Sequence, residues 1–319
     1  MKLRAIPRRT APALDTVRGS LVALATPFRG GRIDEARLFA LTENQLRAGS
    51  AGLVACGSTG EAAALSPAEH ARVLTVVLEA ALGRVPVIAG VGAACTEAAV
   101  ALASAAARGR VDAVLVAPPP YTRPTQEGII AHVRAVATAS DLPVILYDVP
   151  ARTGVAIDDA TVARLHETGM IVGIKDATAD LARPPRLLAL CGAGFLQFTG
   201  DDATAIAYRA MGGHGCISVT ANLVPALLAA LHRAWDARDM QTVADLRDRL
   251  APLHAALFLE TNPIPLKAAM DLAGLCDAAL RLPLTTASVS TLGRLASLLP
   301  PLLEAEEACI RQPRLSLVR

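Results

Sequence analysis

Val172-Gly173-Ile174-Lys175-Asp176-Ala177-Thr178 is a short apolar run closed by a lysine. An unpaired ammonium is costly to bury, so a lysine ending a buried strand must sit at a mouth or be paired. Side chains alternate along a strand, which groups Lys175 with Gly173 and Ile171 and sends Ile174 and Asp176 to the other face. Gly173, directly below, leaves room beside the amine. Taken alone, the stretch reads as a solvent-facing lysine where a strand frays into a loop. The other reading is an amine desolvated in a barrel mouth, where lysine can form a Schiff base with a ketone. The surrounding chain decides between them.

Upstream and downstream of Lys175 one rhythm repeats: a short β-branched run, then a capped helical pattern. The runs are Ser20 to Ala25, Gly52 to Cys56, Val85 to Ala89, Ala113 to Ala117, Pro143 to Tyr147, Ile171 to Lys175, Phe195 to Phe198 and Cys216 to Val219. Helical patterns follow each, and Ser66-Pro67-Ala68-Glu69 opens one with a capping-box pair and a proline at the first helical position. Eight such units over residues 19–234 predict an α/β fold, a (β/α)8 TIM barrel. A doubly wound open sheet would want a glycine-rich phosphate loop after an early strand, and Gly90-Val91-Gly92 lacks the third glycine. Residues 235–319 carry no strand pattern, and 240–259, 263–274 and 288–308 read as helices, a C-terminal helical region packed on the barrel. Residues 1–18, with Arg4, Arg8, Arg9 and Arg18, have no apolar stretch of a secretory signal and read as a flexible basic leader.

The 319 residues are 53% hydrophobic but only 3% aromatic, so Ala, Leu and Val must fill the core, as they do in helices packed around a parallel sheet. With 31 basic and 29 acidic residues the charge is too balanced for a nucleic-acid surface. Residues 85–107 are apolar, but Pro86, Gly90, Gly92 and Glu97 break them into a strand and a helix, which excludes a membrane span. The six cysteines show no zinc or disulfide spacing and read as reduced core thiols of a cytoplasmic protein. The histidines have no metal spacing: His70 lies alone on a helix, and His214 caps a tight turn.

In a barrel the active site is built at the C-terminal ends of the strands. There the chain places Gly57-Ser58-Thr59-Gly60-Glu61, Pro118-Pro119-Pro120-Tyr121, Tyr147 with Arg152-Thr153-Gly154, Lys175, Gly200-Asp201-Asp202 and Ser218 to Asn222. Of three tyrosines, two fall at strand ends, which favours the reactive reading of Lys175. Condensation of an amine with a ketone needs proton transfers at the carbinolamine oxygen, which the Tyr147 phenol and Ser58 hydroxyl can relay. Ser58 and Thr59 beside glycine offer donors to a carboxylate, and Arg152 can bind a second carboxylate in bidentate fashion. Glu61 reads as a partner for loop amides rather than an acid catalyst.

Gly57 to Glu61, Tyr147-Asp148-Val149-Pro150, Arg152-Thr153-Gly154 and Gly173-Ile174-Lys175-Asp176-Ala177 resemble the pyruvate-dependent class I aldolases of the dihydrodipicolinate synthase/N-acetylneuraminate lyase family. The resemblance runs from Gly19 to about Leu284. Gly200-Asp201-Asp202, Gly212 to Asn222 and Asn262-Pro263-Ile264-Pro265-Leu266-Lys267 place it on the synthase side. It implies a lyase in which Lys175 forms the Schiff base with pyruvate, Tyr147 shuttles protons and Ser58 joins the relay. Thr59, the backbone at Ile217 and Gly200 would lie at the pyruvate, and Arg152 would bind the carboxylate of L-aspartate 4-semialdehyde. Tyr121 would complete the relay of a neighbouring subunit in a homotetramer, a dimer of dimers. The implied product is 4-hydroxy-tetrahydrodipicolinate, on the route to diaminopimelate and lysine, with no metal, organic cofactor, nucleic acid or membrane partner.

Three departures stand out. Ser58 replaces the usual threonine of the synthases, keeping the hydroxyl but losing the β-branch that stiffens χ1. Lyases of the family commonly carry serine there, so a sugar acid or a hydroxyproline-derived substrate is the alternative, and a catalytically silent relative is a third. Asp148 stands for a usual asparagine, on the outer face of its strand. The positions that bind lysine in feedback-inhibited members are Ala62, Pro67, Ala94, Ala98 and Pro120 here, with only His70 kept, so lysine is expected not to inhibit.

Overall fold

The structure, a computed structural model, describes residues 13–311. Eight parallel strands close into a barrel: β1 (Gly19–Ala23), β2 (Gly52–Ala55), β3 (Val87–Gly90), β4 (Ala113–Val116), β5 (Val144–Asp148), β6 (Gly173–Asp176), β7 (Leu196–Thr199) and β8 (Gly215–Ser218). Each pairs with its sequence neighbours, and β1 joins β8 through Leu21 opposite Ile217 to close the ring. The intervening helices are α1 (Glu35–Ala48), α2 (Pro67–Ala81), α3 (Thr96–Gly109), α4 (Gln126–Ser140), α5 (Asp159–Glu167), α6 (Arg183–Cys191), α7 (Ala205–Ala210) and α8 (Pro225–Asp236). Thus the predicted barrel is the observed one.

Alternation explains why the strands read as unbroken apolar runs. Leu21, Ala23, Val54, Ile88, Leu115, Ile145, Leu196, Phe198 and Ile217 fill the barrel interior. Val22, Leu53, Ala55, Val87, Ala89, Val114, Val116, Leu146 and Ile174 face outward into the helices. Both faces are therefore dry, and each fully buried Val, Leu or Ile contributes about 1.5–3 kcal/mol. The helices start where their caps dictate. Ser66 and Glu69 form the capping box of α2, and the side chains of Asp34 and Thr125 accept backbone N–H bonds at the starts of α1 and α4.

The strand carrying the lysine departs from the simple pattern at its start. β6 begins at Gly173, not Ile171. Ile171 packs on the helix side and Val172 against the barrel interior, so the shared face ends at Gly173. Nor does Gly173 leave space for the amine. A Cβ there would lie 2.5 Å from the Leu196 carbonyl oxygen, so the glycine serves the close approach of β6 to β7.

Beyond the barrel come α9 (Met240–Ala256), α10 (Ile264–Leu272) and α11 (Val289–Arg311). α11 packs on α8, α9 and α10. Its buried Glu306 accepts the N–H groups of Ala226 (2.8 Å) and Leu227 (2.9 Å), two of the unsatisfied donors at the start of α8. Of the expected leader, residues 1–12 lie outside the described residues. Leu14–Thr16 form a 3-10 turn, and Val17 is buried with the interior side chains. Among the described residues no helix is long and apolar enough to cross a membrane. All six cysteines are free; Cys56, Cys216 and Cys276 are buried, whereas Cys95 is exposed, so the expectation of core thiols fails there.

Candidate active site

The C-terminal rim of the barrel gathers most of the predicted residues, because strand register fixes which of them face one another. Tyr147 on β5 stands opposite Lys175 on β6, and Lys175 stands opposite Phe198 on β7. Lys175 is 7% exposed, and its Nζ lies 4.4 Å from the centroid of the Tyr147 ring. A ring face attracts a cation, so the phenol body holds Nζ without giving it a counter-charge. Among the described residues Nζ has no hydrogen bond or ion pair. A reactant's carbonyl would therefore meet an amine free of competing partners.

Gly200, just past β7, is what makes room. A Cβ at Gly200 would stand 2.9 Å from Lys175 Cε and 3.2 Å from Ala177 Cβ. Ile217 on β8 is fully buried and inward, in the same interior cluster that Tyr147 joins.

Ser58 and Thr59 follow β2 in a tight turn in which the Gly57 carbonyl accepts from Gly60 N (3.1 Å) and Ala62 N (3.3 Å). Two glycines make that turn possible. A Cβ on Gly90 would fall 2.2 Å from the Cys56 carbonyl oxygen, and one on Gly60 3.0 Å from that of Leu24. Gly90 is thus a packing glycine, not part of a phosphate loop. Ser58 is half-buried and Thr59 buried. The turn is anchored from behind: Glu61 pairs with Lys267 at 3.1 Å, both fully buried, and accepts the Arg281 backbone N–H at 3.0 Å. Burial pulls the Lys267 ammonium below its ordinary value and the Glu61 carboxylate pushes back. Lys267 and Arg281 both sit over the Phe28 ring, at 4.6 and 4.4 Å. Glu61 is therefore a structural anion, as its sequence context suggests.

Asn262 joins two predicted residues. Its Nδ2 donates to Thr59 Oγ1 at 2.9 Å, and its carbonyl accepts from an Arg152 terminal nitrogen at 2.9 Å. Arg152 itself is exposed, on the single helical turn Pro150–Thr153. Tyr121 is the residue that one chain does not bring in. It is 97% exposed, its ring packing on none of the described residues, and its backbone takes φ +72°, a strained choice for a bulky side chain.

Behind the reactive strands lies a buried charge cluster. Arg183 of α6 donates to Asp148 at 2.7 Å and to Asp159 at 2.9 Å, and lies 3.5 Å from Asp176. Asp148 and Asp176 are the outward neighbours of Tyr147 and Lys175 and face each other across the ladder. Arg183 thus ties the two strand ends together from outside. Burial raises the Asp148 carboxyl against the opposing pull of Arg183. The outer-face placement of Asp148 follows the alternation.

Several polar residues at strand ends serve the frame instead. The Asp202 carboxylate accepts from Ser218 Oγ, Val219 N (2.9 Å) and Thr220 N (3.1 Å), holding the turn after β8. Asn222 closes the barrel seam through Ala23 O (2.8 Å) and Ala25 N (2.9 Å). His214 accepts from Gln197 N at 3.1 Å, and His70 is bonded through Nε2 to Gly90 O at 2.8 Å, both structural. Among the described residues no group of three or more His, Cys, Asp or Glu side chains is placed to hold a metal. Asn262, Lys267, Arg281 and Arg183 had no sequence signal pointing to these partners. Only the segment Asn262 to Lys267 was marked, by resemblance.

Residues 16–300 match the Dihydrodipicolinate synthetase family. The chain is 48% identical over 274 residues to the 4-hydroxy-tetrahydrodipicolinate synthase of Rhodospirillum centenum, covering 86% of this chain and 94% of that one. Among solved structures, that of the 4-hydroxy-tetrahydrodipicolinate synthase from Methylacidiphilum fumariolicum superposes with a TM-score of 0.88 at 35% identity, covering 92% of this chain and 98% of the other. The dihydrodipicolinate synthase of Acinetobacter baumannii, solved in complex with pyruvate, superposes with a TM-score of 0.86 at 41% identity, covering 90% and 99%. The chain belongs to the dihydrodipicolinate synthetase family.

Proposed function

We propose that this enzyme condenses pyruvate with L-aspartate 4-semialdehyde to give 4-hydroxy-tetrahydrodipicolinate. The observation that carries the reading is Lys175: a buried lysine with no counter-ion among the described residues, at the barrel rim, over Tyr147 and beside Gly200. Nζ attacks the ketone carbon of pyruvate, the carbinolamine loses water, and the Schiff base acts as an electron sink when a methyl proton leaves. The enamine carbon then attacks the aldehyde, and the amino group of the semialdehyde displaces Nζ at the imine carbon, which closes the ring and frees Lys175. Tyr147 carries the protons of these steps, with Ser58 in the relay. The Thr59 hydroxyl and the backbone at Ile217 receive the pyruvate carboxylate beside Gly200. Arg152 receives the carboxylate of the semialdehyde through the N–H groups left free by Asn262.

Tyr121 completes the relay of a second subunit. Its exposure and strained backbone suit a side chain ordered by a partner, and the assembly is a homotetramer in the cytoplasm. Lysine does not regulate it. Ala62, Pro67, Ala94, Ala98 and Pro120 offer no carboxylate, phenol or amide for a dibasic ligand, and the Nε2 of His70 is already bonded to Gly90.

The deciding experiment is pyruvate consumption with the semialdehyde, coupled to dihydrodipicolinate reductase. Turnover is the expected result. Pyruvate trapped on Lys175 by borohydride without turnover would move the second substrate to a sugar or hydroxy acid. Absence of trapping as well would leave a silent relative.

A further inference from the structure

Thr59 and Asn262 are separated by 203 positions yet meet at 2.9 Å, both buried, at 3% and 6% exposure. The direction of this hydrogen bond matters. A threonine hydroxyl has one proton to give and two lone pairs. Here one lone pair is taken by the Asn262 amide, which can only donate through Nδ2. The Thr59 proton must then point elsewhere, and among the described residues no acceptor takes it. Asn262 Oδ1 is likewise buried and unpartnered among the described residues, so in this orientation both that oxygen and the Thr59 proton are left open to a ligand.

The geometry points to Asn262 as a positioning residue that sets the direction of the Thr59 hydroxyl, so that its proton faces the carboxylate of the bound keto acid. This rests on the pyruvate reading above. An accepted hydrogen bond also polarises the hydroxyl, making it a stronger donor. In the reversed amide orientation the oxygen would take the Thr59 proton, and the substrate carboxylate would face a lone pair. The Asn262 side chain thus selects between an attractive and a repulsive face of one hydroxyl. The backbone carbonyl of the same residue holds Arg152, so one residue touches the receivers of both substrate carboxylates through chemically separate groups. Side-chain substitution removes the first link and leaves the second.

Three variants read this out. Asn262→Ala frees the hydroxyl rotor. Asn262→Asp is nearly isosteric but can only accept, so it captures the Thr59 proton and adds a like charge. Thr59→Val removes the hydroxyl. The measurements are half-saturation by pyruvate, from borohydride trapping and from steady-state KM, alongside KM for the semialdehyde and the melting temperature. We expect half-saturation by pyruvate to rise several-fold in Asn262→Ala and by about tenfold to a hundredfold in Asn262→Asp, the scale of a charge-assisted bond lost. KM for the semialdehyde should stay near wild type. Thr59→Val combined with Asn262→Ala should be no worse than Thr59→Val alone, because both act through the same proton. A folded Asn262→Asp with wild-type pyruvate saturation would overturn the inference, as would full additivity in the double variant. An equal rise in both KM values would also overturn it, by marking a purely structural role. If the wild type itself traps no pyruvate, it is the Schiff-base reading that fails.

Discussion

Tyr147 supports Lys175 from the adjacent strand: the two are cross-strand partners, with the amine 4.4 Å from the ring centroid. The pair owes its geometry to backbone register rather than to loop conformation, so it is held as rigidly as the barrel. Replacing Tyr147 by Phe keeps the ring and removes only the hydroxyl. Turnover should fall by about 10²–10⁴, the usual worth of a positioned proton carrier, while borohydride still traps pyruvate on the enzyme. Lys175→Ala should lose the trapped adduct, seen by mass spectrometry. A Tyr147→Phe variant with undiminished turnover would move the proton relay elsewhere.

Gly200 tests the same space from the other side. Its added Cβ would press hardest on Lys175 Cε at 2.9 Å, the outer part of a flexible side chain that can yield, and more lightly on Ala177 Cβ at 3.2 Å. Gly200→Ala should therefore melt close to the wild type. Its kcat should drop by roughly a hundredfold, the cost of displacing a reacting atom by about 1 Å. A large loss of melting temperature instead would show that the backbone takes the strain.

Arg152→Ala separates the two substrates. Arg152 is exposed, and among the described residues only one of its guanidinium nitrogens is tied, to the Asn262 carbonyl. Pyruvate trapping should stay intact, while KM for the semialdehyde rises about tenfold to a hundredfold, as expected for a lost charge-assisted pair. Weakened pyruvate trapping would place Arg152 at the first substrate instead.

The barrel was legible because its signals are local. Each run from Ser20 to Val219 announces a strand by composition, and Ser66 with Glu69 announces a helix by spacing alone. Lys175, Tyr147 and Thr59 were legible as polar residues at or just past the C-terminal ends of strands, where a barrel builds its active site. What escaped depends on which chain segments lie side by side. Gly173 and Gly200 look alike in sequence, yet Gly173 meets Leu196 and Gly200 meets the lysine, a difference set by the neighbouring strand. Asn262 and Lys267 reach Thr59 and Glu61 across about two hundred residues, with no periodicity to mark the contact. Arg183 lies on a helix whose charge pattern says nothing of the two buried carboxylates it faces.

Lysine should leave activity unchanged at millimolar concentration. The positions that the resemblance would place around lysine are Ala62, Ala94 and Ala98 with Pro67 and Pro120, and none can pair an ammonium or a carboxylate through its side chain. Steady-state rates with and without lysine, together with calorimetric titration, check this. Inhibition below 1 mM on the order set by ordinary micromolar binding energies would show that another site has taken over the role.

The pH dependence of stability follows from the buried histidines. Burial holds His232 down to about 3, with Arg209 adding to it, and burial with Arg18 holds His214 down to about 4. His70, His132 and His254 are lowered in the same direction, again by burial. Each is neutral when folded and binds a proton more readily when unfolded. Between the unfolded value of 6.5 and the lowered folded value, the unfolded chain holds more protons, so acid favours unfolding. This histidine contribution is complete above pH 6.5 and falls as pH drops below it, by about 1.4 kcal/mol per pH unit for a fully buried site such as His232. Melting temperatures from pH 8 to about 5 should therefore be flat and then decline. His232→Gln, which cannot titrate, should show a shallower decline than the wild type even if it starts lower. An unchanged slope in that variant would mean that His232 is solvated and takes up its proton without unfolding the barrel.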